Sequence, residues 1–209
     1  LEKIKNAHIL LVGIGGVGSF CFETLIRCGV ENITVIDFDT YEESNLNRQL
    51  YATIDTLGKK KIDTALARAK SINENVNINV LDTFLDFNSD FDFSSYDYII
   101  DACDSVPAKA NLILNAKKYN KKIIVSLGIG NRVCPELVCK STLKENLSDP
   151  LGKKLNHYLI KKCDFNENVN VICSKEKPIK SQPISSYVCT TSVAGIYLSD
   201  YVIKDIING

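Results

Sequence analysis

Leu10-Leu-Val-Gly13-Ile-Gly15-Gly16-Val-Gly18-Ser19 is the stretch whose reading decides the fold. An apolar run that starts near His8 has the length of a strand, and it breaks into glycines just ahead of a helical pattern over 16–28. Glycine at such a junction lets the backbone turn tightly. It also lets a phosphate approach the helix N-terminus, where free N–H groups and the helix dipole favour an anion. The stretch contains G-x-G-x-x-G with an extra glycine at Gly16, so Gly13, Gly15, Gly16 and Gly18 are candidate nucleotide-binding positions. By itself the pattern is shared by NAD, FAD and mononucleotide binders.

Outward from this loop, strand patterns over 8–13, 32–37, 76–81, 97–101 and 122–126 alternate with helical patterns over 16–28, 59–73 and 106–119. Several strands are rich in Ile and Val, as strands buried on both faces must be. The alternation predicts an α/β fold, a Rossmann-like, mostly parallel sheet with helices on both faces. The second strand ends in Asp37, placed to accept hydrogen bonds from ribose hydroxyls. Beyond Gly128 the alternation fades into a short strand at 136–140, a helix at 150–162, a polar stretch from Asp164 to Ser186 and a terminal helix from Thr191 to Ile207. The expectation is a single domain over 1–209 with a mobile crossover and substrate region at about 128–190.

Composition narrows the function classes. Lys and Arg total 25, as do Asp and Glu, so net charge gives no general argument for nucleic acid. The apolar runs are strand-length, well short of the ~20 residues that span a bilayer. A cytoplasmic protein with no membrane partner is expected. The chain opens on Leu1 with no leader pattern, and a natural N-terminal stretch is expected to precede it. None of the eight cysteines is spaced C-x-x-C, which argues against a structural zinc site. Cys21, Cys28 and Cys103 fall in apolar periodic segments and read as reduced core thiols.

Which nucleotide is bound turns on the residues beyond Asp37. The chain continues into Asp39, then Ser44-Asn45-Leu46-Asn47-Arg48-Gln49, then Gly58-Lys59-Lys60-Lys61. Asn45, Arg48, Gln49 and Lys61 suit a triphosphate, because guanidinium forks onto phosphate oxygens and ammonium adds a point charge. On residues alone Arg48 and Lys61 also read as a solvated surface pair, and Asp104 as the N-cap of the helix after it.

With Asp101-Ala-Cys-Asp104, these elements make the ordered set G-x-G-G-x-G, D-x-D, S-N-L-x-R-Q, G-x-x-K and D-x-x-D. In that order the sequence resembles the ubiquitin-activating-enzyme-like adenylating enzymes, which include the molybdopterin- and thiamine-synthesis adenylyltransferases. The resemblance implies ATP and Mg²⁺, with Gly16 lining the phosphate turn, Asp37 on the ribose and Asp39 close by. It implies that Asn45, Arg48 and Lys61 stabilise the phosphates and that Asp104 holds the metal, making Arg48, Lys61 and Asp104 the catalytic set. It also implies a homodimer.

One branch is more similar still, the tRNA threonylcarbamoyladenosine dehydratases. Its marks are Gly13 to Ser19, Asp101 to Val106 with Lys109, Asp149-Pro150-Leu151 before a lysine-rich helix, and Cys173-Ser174-Lys175-Glu176. The implied activity is ATP-dependent adenylation of the threonine carboxylate on a modified tRNA adenosine, followed by ring closure with loss of water. The alternative is activation of the C-terminal glycine of a ubiquitin-like sulfur carrier, with a sulfur-transfer or carrier protein as partner. Lys140, Lys144, Lys153, Lys154, Lys161, Lys162, Lys175, Lys177 and Lys180 read either as a solvated face or as an RNA contact. Cys173, with Lys175 nearby, is the thiol that a carrier mechanism would use. His157 reads as an exposed helix residue.

Overall fold

Five residues, His8–Val12 (β1), form the central strand of the sheet, and Ile9, Leu10, Leu11 and Val12 are buried, so this strand is covered on both faces. In the computed structural model, which describes all 209 residues, β1 pairs in parallel with β2 (Asn32–Ile36) on one side and β4 (Tyr98–Asp101) on the other. Beyond them lie β3 (Asn77–Leu81) and β5 (Lys122–Ser126), also parallel. The sheet closes with β7 (Asn170–Ser174), parallel to β5, and β6 (Val138–Thr142), antiparallel to β7. The strand order is β3-β2-β1-β4-β5-β7-β6. The reversal between β3-β2-β1 and β4-β5 is a switch point, the place where open α/β sheets bind ligands at the carboxyl ends of their strands.

Helices cover both faces. The short α1 (Glu2–Asn6), α2 (Gly18–Arg27), α3 (Lys61–Ile72) and the long α6 (Val188–Asn208) share one core with the sheet, which includes Phe22, Leu25, Ala65 and Leu198. On the other face α4 (Val106–Lys118) and α5 (Pro150–Cys163) bury Leu112, Ile113, Leu155 and Leu159.

The alternation read from the sequence is present, and four features differ. The polar stretch from Asp164 to Ser186 contains β7, whose apolar run Val171-Ile-Cys173 is only three residues long and flanked by polar ones. The last helix begins at Val188, three residues earlier than expected, and α1 precedes the first strand. Cys28 is exposed at the end of α2 rather than in the core, while Cys21 is fully buried there.

Candidate functional site

The glycine turn rests on two different steric demands. Gly13 sits at φ +92°, and a Cβ there would come within 2.9 Å of the Ala102 carbonyl. Gly18 has an ordinary φ, but a Cβ on it would overlap the Gly13 carbonyl oxygen. The turn is closed by Ser19 N–H donating to the Gly15 carbonyl at 3.0 Å and by Gly13 N–H donating to that of Ile36 at 2.8 Å. No hydrogen bond within the chain takes up the N–H groups of Gly15, Gly16 and Val17. These are unused donors at the N-terminus of α2, the arrangement that binds phosphate.

Asp37, at the end of β2, is buried and holds this turn in place. One carboxylate oxygen accepts from Ile14 N–H at 2.7 Å and the other from Asp39 N–H at 2.9 Å. Each oxygen keeps a further lone pair for a ribose hydroxyl. Next to it Phe38 and Phe84 meet edge to face, 5.0 Å between centroids, and both are half-exposed on the cleft wall.

A 3₁₀ turn over Glu43–Asn45 brings the polar segment back over the glycines. The Arg48 side chain crosses Gly16 so closely that a Cβ there would lie 3.2 Å from Arg48 Cγ. Its Nη1 donates to the Ser44 carbonyl at 2.6 Å and to Asn47 Oδ1 at 3.0 Å. Asn45 and Gln49 are buried, and Gln49 Oε1 has no partner. Lys61, the first residue of α3, is 4% exposed, so it is no solvated surface lysine. Its ammonium reaches Asp39 Oδ2 at 2.7 Å.

Asp101 and Asp104 have opposite environments. Asp101 is fully buried, paired with the equally buried Lys109 at 3.1 Å, and Lys109 also donates to the Ser126 carbonyl at 2.7 Å. Asp104 is exposed on the cleft wall with no ion pair or hydrogen bond. It does not cap α4. Ser105 does, accepting from Ala108 N–H at 3.4 Å, because its backbone is the last extended residue before the helix.

One cleft of about 1080 Å³ gathers Gly13, Gly15, Gly16, Asp37, Asp39, Asn45, Arg48, Gln49, Lys61 and Asp104; Gly18, also a candidate from the sequence, is off its wall and serves the packing of the turn. Its other half falls mostly in the substrate region expected at about 128–190: Ser126–Arg132, the start of α5 with Lys154, and a strap over 178–186. Asp149-Pro150-Leu151, Lys154 and Lys180 carry signals in the sequence, whereas Ser126–Arg132 carry none. Arg132 is the hub of that half. It is 3% exposed and pairs with Asp149 at 2.5 Å, and its remaining N–H groups donate to the carbonyls of Gly128, Gly130 and Glu176. Asp149 in turn caps α5, accepting from Gly152 N–H at 2.8 Å. These partners are separated by up to 44 residues; Asp149 and Glu176 stand in marks quoted from the sequence, but nothing local announces Arg132 or its pairing with them.

Cys173 does not fit the thiolate reading. It is buried opposite Cys139 on β6, Sγ to Sγ 4.0 Å, and burial pushes its pKa up to about 12, with the neighbouring Cys139 adding to the rise. Lys175, beyond the strand end, is exposed and forms no bond to it. His157 is exposed on α5, as expected.

Among known proteins, the tRNA threonylcarbamoyladenosine dehydratase of Haemophilus influenzae is 36% identical over 186 residues, covering 88% of this chain and 71% of that protein. The protein of the same name from Bacillus subtilis is 32% identical, covering 99% of this chain and 89% of its own length. Among solved structures, the Escherichia coli tRNA N6-threonylcarbamoyladenosine dehydratase in complex with AMP superimposes with a TM-score of 0.95 at 30% identity, covering 99% of this chain and 88% of that one. The same Escherichia coli protein in complex with ATP gives 0.92 at 28%. The model described as the ThiF family matches residues 1–207, both halves of the cleft included, and the chain belongs to that family.

Proposed function

We propose that the chain uses ATP to cyclise the threonylcarbamoyl group of a modified tRNA adenosine by adenylating its threonine carboxylate. The observation that carries this reading is the two-part cleft: unused N–H donors and thinly partnered cations at one end, and beyond them a second half with room for an acceptor. The names of the Haemophilus influenzae and Bacillus subtilis relatives support the substrate, and the AMP and ATP complexes of the Escherichia coli protein support the nucleotide.

The chemistry needs little covalent help from the protein. A carboxylate oxygen of the substrate attacks the α-phosphorus of ATP, and the bond to pyrophosphate breaks. Arg48 and Lys61 take up the charge that grows on the departing pyrophosphate, while the free N–H groups of Gly15 and Gly16 hold its oxygens. The ureido group of the same substrate then attacks the activated carbonyl, loses a proton, and AMP leaves with the former carboxylate oxygen. Because that nucleophile is intramolecular, its effective concentration is high and no protein thiol is needed. The buried Cys173 is compatible with this route. Lys61 must exchange Asp39 for a phosphate oxygen, and the half-exposed Asp39 is then left beside the site.

Asp104 suits Mg²⁺, since one unpaired carboxylate on the cleft wall is what that ion uses alongside phosphate oxygens. Asp101 does not, being committed to Lys109. Mg²⁺ bound there would neutralise phosphate charge.

The acceptor side is basic where it leaves the cleft. The α5 sequence has no acidic residue, and Lys153, Lys154, Lys161 and Lys162 are exposed on it without an ion pair. Such a ridge can follow a phosphate backbone. The enzyme works where tRNA resides, in the cytoplasm; no helix is long and apolar enough to cross a membrane. A homodimer is what the family resemblance implies, and light scattering tests it.

The deciding experiment incubates the protein with ATP and threonylcarbamoylated tRNA and follows the nucleosides by mass spectrometry. A modified adenosine lighter by one water is expected. Unchanged nucleoside, with AMP released only when a ubiquitin-like carrier is added, would instead select the carrier-activating reading.

A further inference from the structure

The acceptor half of the cleft is roofed by residues 178–186, a strap with almost no burial of its own; Ile184 is 77% exposed. A segment so poorly packed needs hydrogen bonds to stay in place. Nearly all that it makes converge on one residue. Asn131 N–H donates to the Ser185 carbonyl at 2.7 Å, and the Asn131 carbonyl accepts from Ile179 N–H at 2.7 Å. The side chain completes the set: Nδ2 donates to the Ser181 carbonyl at 3.1 Å, and Oδ1 accepts from Ser185 N–H at 2.8 Å and from its hydroxyl at 3.3 Å.

Asn131 has φ +57°, a conformation asparagine tolerates better than most residues, and it is this backbone turn that presents both its faces to the strap. The far end of the strap reaches the phosphate side, where Asn47 Nδ2 donates to the Ser186 carbonyl at 3.2 Å while its Oδ1 accepts from Arg48.

The strap carries Lys180 to the cleft, and α5 carries Lys154 to the same cleft. Neither ammonium has an ion pair or a hydrogen bond, unlike Lys61, Arg48 and Arg132. Two free cations at the acceptor half, away from the glycine turn, suit an anion other than the triphosphate.

We propose that Asn131 is a positioning residue that latches the strap, so that Lys180 and Lys154 together bind backbone phosphate of the polynucleotide acceptor. This rests on the tRNA reading above for the identity of the anion, but not for the latch.

The test uses the whole chain and two variants. Asn131→Gly keeps the positive φ and both main-chain bonds and removes only the side-chain bonds. Lys154→Ala/Lys180→Ala leaves the latch intact and removes the cations. Trypsin cutting of the Lys180–Ser181 bond, which lies between two anchored groups, reads the latch without any activity assay. Cutting is expected to quicken in Asn131→Gly by roughly five- to tenfold, the worth of one or two exposed hydrogen bonds, with other sites unchanged.

In steady-state cyclisation, Asn131→Gly and the double lysine variant are each expected to raise KM for tRNA while KM for ATP stays constant. The double variant is also expected to reduce the salt dependence of tRNA binding. Wild-type cutting rates in Asn131→Gly overturn the latch. Faster cutting with an unchanged KM for tRNA overturns the acceptor role, as does a wild-type protein that cyclises no tRNA; the last result also removes the proposed function and is told apart by the wild-type control.

Discussion

Five cations border one cleft, and how each is partnered separates its two halves. On the phosphate side Lys61 holds a single carboxylate oxygen, and Arg48 lends one nitrogen to a carbonyl and an amide. On the acceptor side Arg132 spends Nε and both Nη atoms on Asp149 and three carbonyls, while Lys154 and Lys180 spend nothing. A buried guanidinium with every donor engaged has nothing left for a ligand; its work is to hold loops together. Cations with one exchangeable partner are the ones that can meet a triphosphate. So proximity to a cleft does not make an arginine catalytic, and the state of its other donors decides.

Arg132→Met puts that distinction under the heaviest load. It leaves Asp149 buried with no counter-charge and frees three carbonyls, a loss of about 3–5 kcal/mol in stability. Thermal unfolding should show a large drop in Tm, with nucleotide binding retained by the molecules that remain folded. A variant as stable as the parent but unable to release pyrophosphate would move Arg132 into the chemistry and erase the contrast.

Arg48→Ala and Lys61→Ala should behave in the opposite way. Each removes a group that gains strength only as charge develops on the leaving pyrophosphate, a loss on the order of 10²–10³ in rate. Tm should change little for Arg48, whose partners are exposed. The check is tRNA-dependent pyrophosphate release beside a melting curve for the same sample. Parent-level release from either variant would remove these two side chains from the proposed chemistry.

The same contrast explains what is legible in the sequence. The phosphate half is assembled from segments that each carry their own pattern: a strand breaking into glycines, an acid at a strand end, a lysine at a helix start. Gly13, Asp37 and Lys61 can be named because local backbone geometry and chemistry coincide there. The acceptor half depends on contacts such as Arg132 with Glu176 and Asn131 with Ser185, long in sequence and made partly through carbonyls, which every residue has. β7 is hidden because three apolar residues satisfy no period, and its burial comes from helices on both faces. Ile172 lies in the core shared with Leu198 of α6, and Val171 and Cys173 in the one shared with Leu155 and Leu159 of α5. Without β7, Cys173 reads as a loop thiol. Phe38 and Phe84 stay silent too, as exposed aromatics near an acid give no periodic signal.

Thiol labelling sharpens the comparison at lower stakes. Cys173 and Cys21 are both pushed up to about 12 by burial, so near neutral pH neither is appreciably thiolate. Cys28 is raised as well, but it is exposed. Iodoacetamide at about pH 8, close to the ordinary thiol range, should therefore modify Cys28 of the folded protein well ahead of Cys173, as read by peptide mass spectrometry. Fast modification of Cys173 would mean that the acceptor half opens, and would restore the thiol to consideration.

The smallest effect is expected at Asp205, on the helix that belongs to both halves. Near its start α6 donates from the Thr190 hydroxyl to the Arg132 carbonyl at 3.2 Å, and near its end Asp205 accepts from Lys122 at 2.6 Å and from the Tyr98 hydroxyl at 2.5 Å. The Lys122 hydrogen bond, followed by that of Tyr98, holds the Asp205 carboxyl below the usual carboxylate range. A depressed folded-state pKa stabilises the fold above the unfolded-state value, and that contribution is lost as pH falls through the folded value. Asp205→Asn should thus cost less than about 1 kcal/mol of stability at neutral pH, as expected for a partly exposed pair, and lower Tm slightly. The gap between the two proteins should close in acid, below the carboxylate range. A gap that persists there would show that the residue acts by packing rather than charge. A change in tRNA-dependent pyrophosphate release at neutral pH would show that α6 transmits its anchoring to the cleft, and the two halves could then no longer be treated as separately held.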